Sequence, residues 1–214
     1  EPYFPTANFI PPVRAVHLGI HVGDHVHVYI FPMVASYVGG DIVAGILGSG
    51  VFQRETLTLY MDIGTNGEIV LGNKDWLASV SCSAGPAFEG AGIKFGMRAT
   101  RGAIEEVSIH PRTYEPMILT LGRSKPIGIC GSGLIDTVAS LLETGMIDQN
   151  GKFRRNLQTD RVRNGPDGYE YVLVRKEETL IHEDIVLTEI DIENLIRTKA
   201  AIYAGCKVLL DSVG

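Results

Sequence analysis

The sequence has 214 residues, 45% of them apolar, with 19 Lys and Arg against 25 Asp and Glu and a formal net charge of −6. It is long enough to bury a stable core and too apolar for a disordered tail. The mild acidity gives no electrostatic reason to bind nucleic acid or an anionic membrane, and no run of about 18 apolar residues offers a transmembrane helix.

The chain opens on Glu1-Pro2-Tyr3-Phe4-Pro5, without an initiator Met or a signal core, and stops at Val213-Gly214 directly after a helical pattern. Both ends read as cuts in something longer. Residues 1–33 are rich in Pro and His, and the alternation in Val26-His27-Val28-Tyr29-Ile30 predicts a half-buried strand. His17, His21, His25 and His27 cluster in sequence, but their spacing does not repeat on one helix face, which favours partly exposed histidines over a metal site. Val38-Gly39-Gly40-Asp41 leads into Ile42–Leu47, whose small residues and apolar spacing predict a tightly packed helix starting at a glycine turn.

Leu57–Met61 and Glu68–Leu71 are short apolar β runs around Asp62-Ile63-Gly64-Thr65-Asn66-Gly67. Asn66-Gly67 is the dipeptide that favours a tight hairpin turn, because both residues tolerate positive φ. Residues 82–102, crowded with Gly, Ala and Ser, predict a structured loop with a short helix. Val107–His110 is a strand, Pro111 a turn, and Ile118–Leu121 the expected partner strand. Gly128–Gly133 opens a helix with Leu134, Ile135, Val138, Leu141 and Leu142 on its apolar face and Gly145 as its stop. Residues 148–170 are polar and predict an exposed excursion; Tyr171–Val174 and Ile185–Leu187 are strands. Asp191 is placed to cap a long helix whose stripe runs through Ile192, Leu195, Ile196, Tyr203, Cys206 and Leu210. The pattern of strand pairs and helices gives an α/β class with a mixed sheet.

Three segments bear chemistry. In the hairpin, glycines leave backbone N–H groups uncovered for phosphate oxygens, Thr65 adds a hydroxyl, and Asp62 is placed to hold magnesium through its waters. Glu68, across the turn, is a candidate to orient a water or a metal ligand, so Asp62 and Glu68 are the candidate catalytic residues. Gly131, Ser132 and Gly133 open a helix, where free N–H groups attract anions; close packing of helix on sheet explains the same glycines. Lys-Ser/Thr does not follow them, so this is not a Walker loop. In Cys82–Gly92 the ionisable side chain besides the thiol is Glu89, a candidate metal or water contact or a plain surface carboxylate. Cys82, Cys130 and Cys206 lack paired spacing, which argues against a disulfide framework or a zinc site; three thiols also fall short of a four-cysteine iron–sulfur cluster. A reducing cytoplasm is the expected compartment.

The strings MDIGTNGEIVLGN (61–73), CSAGPAFEGAGI (82–93), GICGSGLID (128–136) and TKAAIYAG (198–205), with VASYVGGDIVAGIL (34–47), resemble the C-terminal domain of the reductive activators of corrinoid proteins. These are ATP-dependent members of the acetate and sugar kinase, heat-shock chaperone and actin superfamily. The resemblance implies an actin-like, ribonuclease H-like ATPase lobe with a mixed sheet and flanking helices. It implies ATP and Mg2+ as ligands, and ATP hydrolysis that drives an electron onto a Co(II) corrinoid to restore Co(I) for methyl transfer. A [2Fe-2S] cluster is expected only in a ferredoxin-like part upstream of this chain. The implied partner is a corrinoid protein, either a corrinoid iron–sulfur protein or the corrinoid subunit of a methyltransferase, and a homodimer is the candidate oligomer.

On this resemblance, residues 1–33 continue from an upstream region, and 34–214 form the second lobe of the ATPase, ending before the adenosine motif. Phosphate and magnesium contacts carry over to Asp62, Gly64, Thr65, Asn66 and Gly67, then to Glu68, with Gly131, Ser132 and Gly133 on the nucleotide side. Lys199 lies on the helix leading toward the base. With one phosphate hairpin present, the piece by itself is not expected to turn over ATP. Two other readings stand beside this one: a non-catalytic docking lobe for a corrinoid or iron–sulfur partner, and a small-molecule kinase of the same superfamily.

Overall fold

A computed structural model describes residues 6–214, so the opening Glu1–Pro5 lies outside the described residues. Its elements run β1 (Val13–Arg14), β2 (His27–Val28), α1 (Gly40–Ser49), β3 (Thr58–Ile63), β4 (Gly67–Gly72) and β5 (Leu77–Cys82). There follow β6 (Ala103–Ile109), β7 (Pro116–Thr120), β8 (Gly128–Ile129), α2 (Gly131–Glu143), β9 (Val162–Gly165), β10 (Gly168–Val174), β11 (Ile185–Thr188) and α3 (Glu189–Val213). The chain divides into two compact units. One holds the residues up to 63, 67–82 and 203–214; the other holds 64–66 and 83–202. Among the described residues, no helix is long and apolar enough to cross a membrane.

The first unit is built on the antiparallel meander β3-β4-β5. Strand alternation gives it two faces. Tyr60 and Val70 face α1 and pack with Val38, Ile42, Ile46 and Val51. Gly45 of α1 lies so close to the Tyr60 hydroxyl that a Cβ there would collide with it. On the opposite face, Ile69 and Cys82 meet α3 at Gly205, where a Cβ would sit 3.1 Å from Ile69 Cδ1 and 3.2 Å from Cys82 Cβ. Burial raises the Cys82 thiol above its ordinary value, against its donation to the Gly67 carbonyl at 3.2 Å.

The second unit holds two three-stranded sheets, β7-β6-β8 with β6 and β8 parallel, and the antiparallel β11-β10-β9. Its core joins Ile104, Ile129, Leu134 and Leu141 to Tyr171, Leu173, Ile185, Leu187 and Ile192.

Several expectations change. The strand over 26–30 shrinks to His27–Val28, because β1 offers it only two partners. The strand β5 was not anticipated, since Leu77-Ala-Ser-Val-Ser-Cys82 has little β character and takes its conformation from pairing along β4. The hairpin closes at Ile63 and Gly67 on a three-residue loop, with none of residues 64–67 at positive φ, so the Asn66-Gly67 turn is not of the expected kind. The polar excursion 148–170 contains β9, a buried Phe153 and a buried Arg161. Thr188, not Asp191, caps α3: the Asp191 amide donates to the Thr188 hydroxyl at 3.1 Å, and the Asp191 carboxylate accepts the Thr188 amide at 2.9 Å. That reciprocal pair is a capping box. The buried stripe of α3 runs through Ile192, Leu195, Thr198, Gly205 and Leu209, while Ile196, Tyr203 and Leu210 are exposed.

Candidate functional site

The hairpin strands are held in register by ladder pairs from Thr58↔Gly72 to Ile63↔Gly67. Asp62 is exposed at the end of β3, on the α1-facing side with Tyr60. Burial raises the Tyr60 phenol above its ordinary value, and the Asp62 and Asp41 carboxylates add to that. Opposite Asp62, the Glu68 carboxylate accepts the Ser81 hydroxyl at 3.0 Å. Ser81 was missed from sequence, because the strand that presents it was missed.

At the tip, the Gly64 amide donates to the Asn66 carbonyl at 2.9 Å. The Thr65 carbonyl accepts the Gly85 amide at 2.9 Å, and the Thr65 hydroxyl donates to the Glu89 carboxylate. Glu89 is thus bound to the hairpin tip rather than standing apart on the loop. The amides of Thr65 and Asn66 have no acceptor among the described residues, and both residues are exposed. Two backbone N–H donors thus stand on an exposed loop. Gly64 keeps it uncovered: a Cβ there would meet only the Asn66 carbonyl oxygen, at 3.8 Å.

The loop behind the tip is fixed by α3. Asp191 accepts the Lys94 amide at 2.9 Å, Asn194 donates to the Gly92 carbonyl at 2.8 Å, and Thr198 donates to the Ala84 carbonyl at 2.9 Å. These side chains share one helix face by their spacing. Asn194 and Thr198 were not singled out from sequence.

The glycines at the start of α2 have packing roles. A Cβ on Gly133 would collide with the Ile104 carbonyl, and one on Gly131 would lie 2.5 Å from the Phe88 carbonyl oxygen. The Ser132 hydroxyl lies 3.4 Å from Cys130 Sγ, and that buried thiol contacts the Ile104 carbonyl at 3.2 Å. Lys199 is exposed on α3. Among the described residues, no group of three or more His, Cys, Asp or Glu is arranged to hold a metal.

The family model for the C-terminal domain of RACo, the ASKHA domain, matches residues 56–214, and the model for the RACo middle region matches 1–54. The chain belongs to the RACo family. Its fold is accordingly that of an ASKHA domain, the nucleotide-binding α/β class expected from the motifs. A solved structure described as a reductive activator for corrinoid, iron-sulfur protein superposes with a TM-score of 0.91 at 54% identity, over 100% of this chain and 34% of that one. The corrinoid activation enzyme RamQ of Eubacterium limosum is 36% identical over 196 residues, which is 87% of this chain and 32% of the relative. A [Co(II) methylated amine-specific corrinoid protein] reductase of Methanosarcina barkeri is 26% identical over 203 residues, 86% of this chain and 34% of the relative. The chain spans about a third of the length of these relatives.

Proposed function

We propose that this chain is part of an ATP-dependent reductive activator that returns Co(II) corrinoid proteins to Co(I), and that its contribution is the phosphate-holding hairpin 62–68. The observation that carries the reading is the pair of amides, Thr65 and Asn66, left without acceptors among the described residues at an exposed tip. Those two N–H groups donate to phosphate oxygens. Magnesium prefers oxygen ligands and takes one or two carboxylates alongside phosphates. The exposed Asp62 carboxylate fits that need. Bound ATP supplies the free energy of phosphoanhydride hydrolysis; the hairpin's part is to bind and orient the phosphates. Glu68, steadied by Ser81, stands opposite Asp62 as the group that orients a water.

The ASKHA match begins at residue 56, shortly before Asp62, which supports assigning the hairpin to the lobe that opens the domain. The glycine-rich α1, on which a second-lobe placement would rest, falls within the middle-region match and outside the ASKHA match. The three cysteines do not fit an iron–sulfur cluster: Cys130 is buried against Ile104, and Cys82 is engaged with Gly67. A cluster would belong to residues outside 1–214. The names of the relatives support a corrinoid protein as the partner.

The test is Asp62→Asn in the full-length protein, assayed for ATP-dependent appearance of Co(I) on a corrinoid protein. The Asp62 carboxylate accepts no hydrogen bond from another described residue, so the fold is expected to survive while turnover is lost. Unchanged turnover would remove the hairpin from the mechanism. A phosphorylated small-molecule product with no corrinoid reduction would favour a kinase.

A further inference from the structure

The hairpin tip is tied to α3 by a continuous line of hydrogen bonds. The Thr198 hydroxyl donates to the Ala84 carbonyl at 2.9 Å. The peptide that carries this carbonyl also carries the Gly85 amide, which donates to the Thr65 carbonyl at 2.9 Å. The peptide that carries the Thr65 carbonyl in turn carries the Asn66 amide, one of the two N–H groups without an acceptor among the described residues. Two planar peptide units therefore link a helix side chain to an amide at the tip.

We propose that Thr198 is a positioning residue for the hairpin, setting the orientation and donor strength of the Asn66 amide through the Ala84–Gly85 and Thr65–Asn66 peptides. This rests on the phosphate-binding reading given above.

Three features support it. Thr198 is 3% exposed in the body of α3, where a Thr commonly turns its hydroxyl back to its own helix; here it reaches the carbonyl of a residue 114 positions away. Gly85 has φ +83°, and a Cβ on it would find nothing within 4 Å, so glycine is needed there for the backbone angle, not for space. That angle sets how the Ala84–Gly85 plane is turned. Finally, the Thr65 hydroxyl is held by Glu89, so the residue is fixed at its carbonyl and its side chain, and its peptide cannot swing independently. Along such a chain each hydrogen bond polarises the next, so the terminal N–H becomes a stronger donor to an anion.

The experiment compares Thr198→Val, which keeps the volume and removes the hydroxyl, with Thr198→Ser, which keeps the hydroxyl and removes the methyl, both in the full-length protein. Two readouts are used: calorimetric titration with magnesium-ATP, and hydrogen exchange of the segment 83–88 without nucleotide. The Val variant is expected to bind magnesium-ATP about fivefold more weakly and to exchange the Gly85 amide about fivefold faster. The Ser variant is expected to return both to within about twofold of the parent, even if its melting temperature is the lower of the two. Affinity and exchange that follow side-chain volume, with Val like the parent and Ser impaired, would overturn the relay. If the parent itself does not bind magnesium-ATP, the phosphate reading fails; the exchange result then still decides whether Thr198 orders the Gly85 amide.

Discussion

Gly64→Ala separates a hairpin that binds phosphate from one that is merely polar. Gly64 lies outside the positive-φ set, and the nearest atom to an added Cβ is the Asn66 carbonyl oxygen at 3.8 Å, an ordinary van der Waals distance. The protein therefore has room for the methyl. Replacing Gly by Ala at a compatible position restricts the unfolded chain and stabilises by about 0.4–1 kcal/mol. In the longer full-length protein that corresponds to a rise in Tm of at most a few degrees. A polyphosphate lying on the tip would meet the same methyl as an obstacle. Hydrogen bonds to a charged acceptor contribute about 1.5–3 kcal/mol each, so forfeiting one of the two tip amides weakens binding by roughly tenfold to a hundredfold. The expected result is opposite in sign on the two scales: Tm unchanged or raised, magnesium-ATP affinity lowered. Calorimetric titration and thermal denaturation of the full-length protein measure both. Unaltered affinity in a folded Gly64→Ala protein would refute the close approach of phosphate to this backbone.

Gly133→Ala is expected to act on stability. Its Cβ would press on the Ile104 carbonyl, with the carbonyl carbon at 2.9 Å, and overpacking against backbone costs about 1–3 kcal/mol; urea denaturation would show a lowered midpoint. A stable Gly133→Ala protein with weakened nucleotide binding would instead favour an anion role for the start of α2. A third prediction concerns acid. Against the upward push of burial, the Lys176 amide at 2.8 Å and the Arg163 guanidinium at 2.8 Å hold the Asp184 carboxyl below its ordinary value. Its contribution is therefore complete above the unfolded value of about 3.9 and is lost as pH falls through the lower folded value. Asp184→Asn should lower stability by about 1–2 kcal/mol at pH 7 and flatten the acid limb below about pH 4, as read from urea midpoints across pH. An unchanged acid limb would remove Asp184 from that role.

Local chemistry made much of this protein legible. Short apolar runs placed β3 and β4, glycine turns placed the starts of α1 and α2, and the string Asp62–Glu68 marked where the chain turns between the two strands. These features depend on neighbours in sequence, so sequence alone determines them. Tertiary structure decided the rest, because it depends on partners far away in the chain. Leu77–Cys82 is a strand only because β4 pairs with it, and that pairing is what brings Ser81 to Glu68. The buried face of α3 passes through Thr198 and Gly205 rather than Tyr203 and Leu210. A hydroxyl was needed for the Ala84 carbonyl, and a bare backbone for Ile69 and Cys82, demands that apolar periodicity does not register. The turn likewise took its conformation from the register Ile63↔Gly67 and the Gly85 contact to Thr65, not from the preference of Asn66-Gly67 in isolation. Which amides at the tip stay without acceptors is settled by those distant contacts.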